Sequence, residues 1–379
     1  MFFDANHAAW IDAHAQEHLD LLLTLAQIPA PSNFEEKRAE FILNWLHANG
    51  GTDAYMDDAL NVILPLGVTE MNHLAVFAAH SDVVFPDITP LPLRIEDGKV
   101  FCPGIGDDTA SVVSLLMCAK YLLETGIQPK DMGILIVIDS GEEGLGNLKG
   151  IRHLFDSFAG RIREFISFDG GECRCVNRAV GSKRYRIAIE TEGGHSYGAF
   201  GNRNAIAYLA SLIDTLYTIK VPPLGKTTYN VGTISGGTSV NTIAQHAEML
   251  YEFRSDEAGA LAIMEKHLEA ALDFYRAKGV TVTAELVGDR PCSRAVDENT
   301  MTAMTVRAQE ATRRHYGQEL TFSVGSTDCN IPLSRGVAAL CLGVYRGQGA
   351  HTREENIDLD SLIPGMKFLF DLVLQHFAG

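Results

Sequence analysis

Four apolar runs in this chain stop abruptly at acids or histidines, and that recurrence constrains the fold more than any other feature. Leu74 to Ala79 ends at His80-Ser81-Asp82, and Gly133 to Asp139 runs into Gly141-Glu142-Glu143. Phe165 to Phe168 leads into Asp169-Gly170-Gly171, and Val337 to Tyr345 into a glycine-rich loop ending at His351. Short, continuous apolar runs read as strands buried on both faces, because a half-exposed strand would alternate. Between them lie helical stretches such as Asp108 to Glu124, where Val112, Leu115, Leu116, Ala119, Leu122 and Leu123 recur at helical spacing before Gly126. Strand and helix in alternation predict an α/β domain, a mostly parallel sheet with helices on both faces. Ligands of such sheets collect beyond the carboxyl ends of the strands, where the connecting loops diverge. The acids and histidines fall there.

From about Lys183 the pattern changes. Tyr185, Ile187 and Ile189 alternate on a strand, followed by a helix (205–219), two strands (228–234 and 247–253), a helix (257–278) and a strand (280–287). That order, β-α-β-β-α-β, is the α+β ferredoxin-like unit. Met249, Tyr251 and Phe253 alternate as its packed face. A helix over 299–316 and the strand before His351 then resume the first pattern. The expected organisation is a large discontinuous domain, 1–181 and 292–379, interrupted by a smaller inserted domain at 182–291.

Charge and cysteine usage bound the partners and the compartment. Lys plus Arg total 31 against 48 Asp plus Glu, a formal charge of −17. That sign disfavours nucleic acid and anionic membrane surfaces. Seven cysteines without paired spacing predict free thiols in a reducing compartment. The N-terminal MFFDANHAAW lacks a basic segment followed by an apolar run, and no stretch approaches about 18 apolar residues. A cytoplasmic protein is expected.

The clustered residues are His80, Asp82, Asp107, Glu142, Glu143, Asp169 and His351. Two imidazoles and several carboxylates without a thiolate suit zinc, cobalt or manganese. Five acids with no basic residue among them would repel one another unless cations intervene. A pair of metals about 3.5–4 Å apart needs a shared carboxylate, terminal ligands for each ion, and a further acid to activate water. Asp107, after the Pro103-Gly104-Ile105-Gly106 turn, is expected at a helix start where the dipole favours an anion, with Asp108 as the helix cap. Of the adjacent Glu142 and Glu143, one can ligate while the other acts as base. Asp82, two residues beyond His80, is spaced to fix the imidazole tautomer. Other chemistries lack their motifs: there is no G-x-S-x-G elbow, no H-E-x-x-H and no P-loop.

In combination these motifs resemble the M20 family of co-catalytic metallopeptidases. His80-Ser81-Asp82 resembles its H-x-D, and Pro103 to Asp108 its glycine turn before the bridging aspartate. Gly141-Glu142-Glu143-Gly144 resembles the base-plus-ligand pair, Asp169-Gly170-Gly171 a terminal ligand, and Gly349-Ala350-His351 the last ligand. The resemblance implies two divalent metals, zinc expected, one on His80, Asp107 and Asp169 and the other on Asp107, Glu143 and His351. Glu142 is implied as general base. The inserted block becomes a lid and dimerisation domain: Gly194-His195-Ser196 and Gly201 to Ile206 resemble its H-S-G and G-x-N-A motifs. His195 would reach a partner subunit's site and hold the oxyanion. Asn241 and Arg254 would bind substrate, Arg254 through a carboxylate.

The implied activity is amide hydrolysis in di- or tripeptides, with Asp169 in place of glutamate leaning toward aminopeptidases. An N-acyl amino acid deacylase or carboxypeptidase is the alternative within the family. A catalytically inactive, metal-binding dimeric scaffold is the alternative outside enzymes. The chain departs from the family pattern at Thr109-Ala110, where lysine and glycine are common, and at Ala244, where proline is common.

Overall fold

The computed structural model describes residues 3–70 and 73–378. The chain divides into two compact units, Met1–Arg178 with Arg294–Gly379, and Ala179–Ser293. The first and last residues of the second unit are joined by a hydrogen bond from Ala179 N–H to Ser293 Oγ, 2.7 Å.

The first unit holds an eight-stranded sheet. Its order is Tyr55–Met56, Val62–Leu66, Gly133–Asp139, Leu74–His80, Ile162–Glu172, Ala338–Gly343, Arg174–Ala179 and Thr321–Gly325. The four central strands are mutually parallel, while Val62–Leu66 and Arg174–Ala179 pair antiparallel beside them. Leu74–His80 and Gly133–Asp139 are buried at every position. This is why they lack polar alternation. Phe77, Ile136 and Phe168 point to one face, in a core shared with the helices Ser111–Thr125 and Leu362–Leu374. Side chains of a strand alternate faces, so Phe165 points to the other, where the Phe155 ring of helix Lys149–Ser157 lies 5.9 Å from it. Helices therefore cover both faces of a mostly parallel sheet. Among the described residues no helix is long and apolar enough to cross a membrane.

The second unit is a four-stranded antiparallel sheet ordered Thr227–Gly236, His246–Ser255, Gly181–Glu190, Thr281–Arg290. The helices Ala205–Tyr217 and Ala258–Ala277 complete the β-α-β-β-α-β order. Met249, Tyr251 and Phe253 are buried in a core of their own with Leu209 and Leu268. All seven cysteines are free, and only Cys173 is not fully buried.

Two local expectations need correction. The regular helix after the glycine turn begins at Ser111 rather than Asp108, and Asp107 and Asp108 have non-helical backbones. Asp107 therefore stands four residues ahead of the helix, without a place in its first turn, and the helix has no side-chain cap. Asp108 instead accepts the His80 N–H through Oδ2, at 3.1 Å. The strand that begins at Ile162 also runs past its apolar part and includes Asp169-Gly170-Gly171. The strand continues to Glu172, with a bulge where Gly343 pairs with Glu172 immediately after Leu342 pairs with Phe168.

Candidate metal centre

His80 ends its strand fully buried, and its imidazole is held from both sides. Nδ1 lies 3.1 Å from the backbone carbonyl of Asp82, which fixes the proton on Nδ1 and turns Nε2 toward Asp107 Oδ1, also at 3.1 Å. The Asp82 carboxylate is farther from that ring, with Oδ1 at 3.5 Å. Its closer task is structural. Oδ1 accepts the Glu142 N–H and Oδ2 the Glu143 N–H, each at 2.9 Å, and Ser32 Oγ donates to Oδ2 at 2.6 Å. Burial opposes its charge, yet the contacts with His80, Ser32 and the Glu143 amide hold the Asp82 carboxyl below the usual range. One aspartate thus fixes both the His80 turn and the Glu142-Glu143 turn.

Asp107 occupies the centre. Its Oδ1 faces His80 and its Oδ2 lies 3.1 Å from His351 Nε2. His351 Nε2 is also 2.8 Å from Glu143 Oε1. The ligand atoms of His80, Asp107 and Glu143 all lie within 4.8 Å of one another. Asp169 lies within electrostatic reach of Asp107, His80, Glu143 and His351, and burial with the Asp107 charge pushes its carboxyl up to about 7. Hydrogen bonds to Asp107 and Glu143 push the His351 imidazole up to about 11. Burial disfavours the charged form of both Asp107 and His80, but their mutual contacts hold Asp107 low and His80 high. Divalent cations would fit the same donor set: two imidazole nitrogens and hard carboxylate oxygens, with one carboxylate presenting an oxygen to each side.

Glu142 is buried beside this group, while Glu143, not Glu142, joins the cluster of potential ligands. In the second unit, His195 Nδ1 accepts the N–H groups of Tyr197 and Gly198, both at 3.3 Å. A neutral ring then carries its proton on Nε2. Asn241 lies close by in the same unit, its carbonyl accepting the Ser196 N–H at 2.9 Å. Arg254 lies elsewhere, eight residues along the strand from His246, or about 26 Å of extended chain at about 3.3 Å per residue. Its guanidinium grips both oxygens of Glu252, at 3.0 and 3.1 Å.

The structure adds residues that sequence reasoning missed. Glu355 is buried and accepts three backbone N–H groups, from Gly104 at 2.7 Å and from Gly106 and Asp107 at 2.9 Å. It shapes the turn that presents Asp107. Burial pushes its carboxyl up to about 7 despite those donors. Asp139 and Asp328 are buried acids whose carboxyls lie side by side, within hydrogen-bond reach of each other. Both lie within electrostatic reach of Glu142, and burial pushes Asp139 up to about 8 and Asp328 well above its ordinary value. The only sequence signal for Glu355 is its position four residues after His351. Ser32→Ala should lower the unfolding free energy by about 1.5–3 kcal/mol, the range for a hydrogen bond to a charged group. Denaturant titration of the metal-free protein would measure it, and an unchanged midpoint would show that Asp82 does not depend on Ser32.

Comparisons with known proteins place the chain among its relatives. The chain is 24% identical over 363 residues to the uncharacterized protein YqjE of Bacillus subtilis, covering 91% of this chain and 94% of that protein. It is 23% identical over 281 residues to N-acetyldiaminopimelate deacetylase of Bacillus pumilus, covering 69% of this chain and 70% of that one. The crystal structure of a tripeptidase from Staphylococcus aureus superimposes with a TM-score of 0.74 at 22% identity, covering 95% of this chain and 97% of that one. The model of peptidase family M20/M25/M40 matches residues 76–375, and with the strand-end residues assembled around Asp107 the chain belongs to that family.

Proposed function

We propose that this hydrolase cleaves amide bonds in di- and tripeptides, leaning toward aminopeptidase action, with two divalent cations held at the Asp107 centre. The observation that carries the reading is the Asp107 carboxylate, whose two oxygens face His80 and His351 separately at 3.1 Å. His80, Asp107 and Asp169 would hold one ion, and Asp107, Glu143 and His351 the other, with zinc the expected metal from the imidazole and carboxylate donors. The cations, when bound, would supply Lewis acidity at the substrate carbonyl and at the attacking water.

The chain's own groups do the rest. Glu142 takes the water proton on a carboxylate oxygen and returns it to the leaving amine nitrogen. Asp82 holds the Glu142 amide and so sets the direction from which that carboxylate approaches. In a dimer His195 offers its Nε2–H to the developing oxyanion at the partner subunit's site, where Asn241, joined to the same turn, contacts substrate. We take residues 182–291 as a lid and as the dimer contact, and the cytoplasm as the working compartment. The reading is tested by kcat/KM for unblocked tripeptides against N-acetyl amino acids with the zinc-loaded enzyme. Faster tripeptide turnover is expected, and preference for the acetylated set would move the assignment to a deacylase.

A further inference from the structure

A cleft of about 450 Å³ opens within the first unit at Asp107, lined among others by Gly170, Gly171, Arg174, Gln318 and Gln348. Its charges can be accounted for one by one. Asp107 is matched by two histidines, and Glu355 by three backbone N–H groups. Glu172 is matched by Arg346 at 3.3 Å, and Arg346 is itself held by Asp358 at 2.7 Å and Asp360 at 2.6 Å. The Arg174 guanidinium, exposed on the cleft wall, has no ion pair or hydrogen-bond partner among the described residues. It is an unmatched positive charge in a chain of net charge −17, on the wall of a cleft that begins at the centre's shared carboxylate. Beside it the wall is bare: a Cβ added to Gly170 would meet nothing within 4 Å. A ligand backbone can therefore lie against that wall. Clefts of roughly 300–1,000 Å³ suit small ligands, and a free guanidinium fork suits a carboxylate.

We infer that Arg174 is the residue that reads a substrate carboxylate, in a subsite running from Asp107 to Arg174. This deepens the peptidase reading and rests on the same centre. It also differs from the expectation for Arg254, whose fork is already filled by Glu252. A short peptide whose amide lies at Asp107 would direct its C-terminal carboxylate, or an acidic side chain, to Arg174.

The test is calorimetric binding to the zinc-loaded protein, so that it does not depend on turnover. The probes are trialanine with methylated amide nitrogens, which resists hydrolysis, and its C-terminal carboxamide. The free acid should bind about 10- to 100-fold tighter than the carboxamide, the range for a hydrogen-bonded charged group. Arg174→Ala should erase the difference and Arg174→Glu should reverse it. A third probe, the carboxamide with glutamate at its last position, separates the two sources. If it binds Arg174-dependently while the free acid shows no advantage, the carboxylate read belongs to a side chain. Equal binding of all three probes by the unaltered protein, or a preference that persists in Arg174→Ala, would overturn the assignment. If the probes bind in this pattern but unmethylated tripeptides are not hydrolysed by the same zinc-loaded protein, the peptidase reading fails and the carboxylate subsite stands.

Discussion

Glu142→Gln is expected to lower kcat on a tripeptide by about 10²- to 10⁴-fold, the usual contribution of a positioned general base, while metal content stays unchanged. The amide replacement keeps the size of the side chain and leaves the backbone N–H that Asp82 accepts. The turn that carries Glu143 should therefore persist, with both Glu143 and Asp107 still able to ligate. A structural defect would instead release metal and lower kcat together. Stopped assays of the variant beside metal analysis of the same dialysed sample separate these outcomes. Undiminished hydrolysis by Glu142→Gln would remove the residue from the proton-transfer role, and the neighbouring acids Asp139 and Asp328 would become the next groups to examine.

Asp107→Asn should have the opposite signature. Its carboxylate is the one group that faces both His80 and His351, so an uncharged amide weakens both sides of the centre at once. Altering a partner that only orients a ligand costs about 10- to 100-fold in metal affinity, and loss of the shared carboxylate should exceed that. The expected result is loss of most bound zinc on dialysis, with kcat falling in proportion to the metal lost. Retention of the full metal content by Asp107→Asn would show that Asp107 does not bridge, and the two-ion arrangement would have to be abandoned.

The parts of the centre that could be read from sequence are those tied to a periodic feature. His80, Asp107, Glu142, Glu143, Asp169 and His351 each follow an apolar run or a glycine turn, and burial of the run places the following residue at the sheet edge. The ferredoxin-like order of the inserted block was visible for the same reason, since its strands alternate and its helices repeat. Ser32, Glu355 and Asp328 had no such marker, whereas Asp139 ends an apolar run itself. A carboxylate that grips three amides and one on an exposed loop look alike in sequence, because the difference lies in partners hundreds of residues away. The helix start was misplaced because Asp107 and Asp108 leave the helical backbone without any proline or apolar break to announce it.

Glu355 ties together two stretches of chain about 250 residues apart, since it follows His351 by four positions and holds the amides that present Asp107. The distance along the backbone from imidazole to carboxylate therefore acts as a ruler. Residues 352–354 can vary in identity, because their side chains are exposed, but not in number. Lengthening or shortening that segment by one residue would move His351 relative to Asp107 even if every ligand were retained. Among descendants of this sequence, substitutions should accumulate in the segment while insertions and deletions are purged from it.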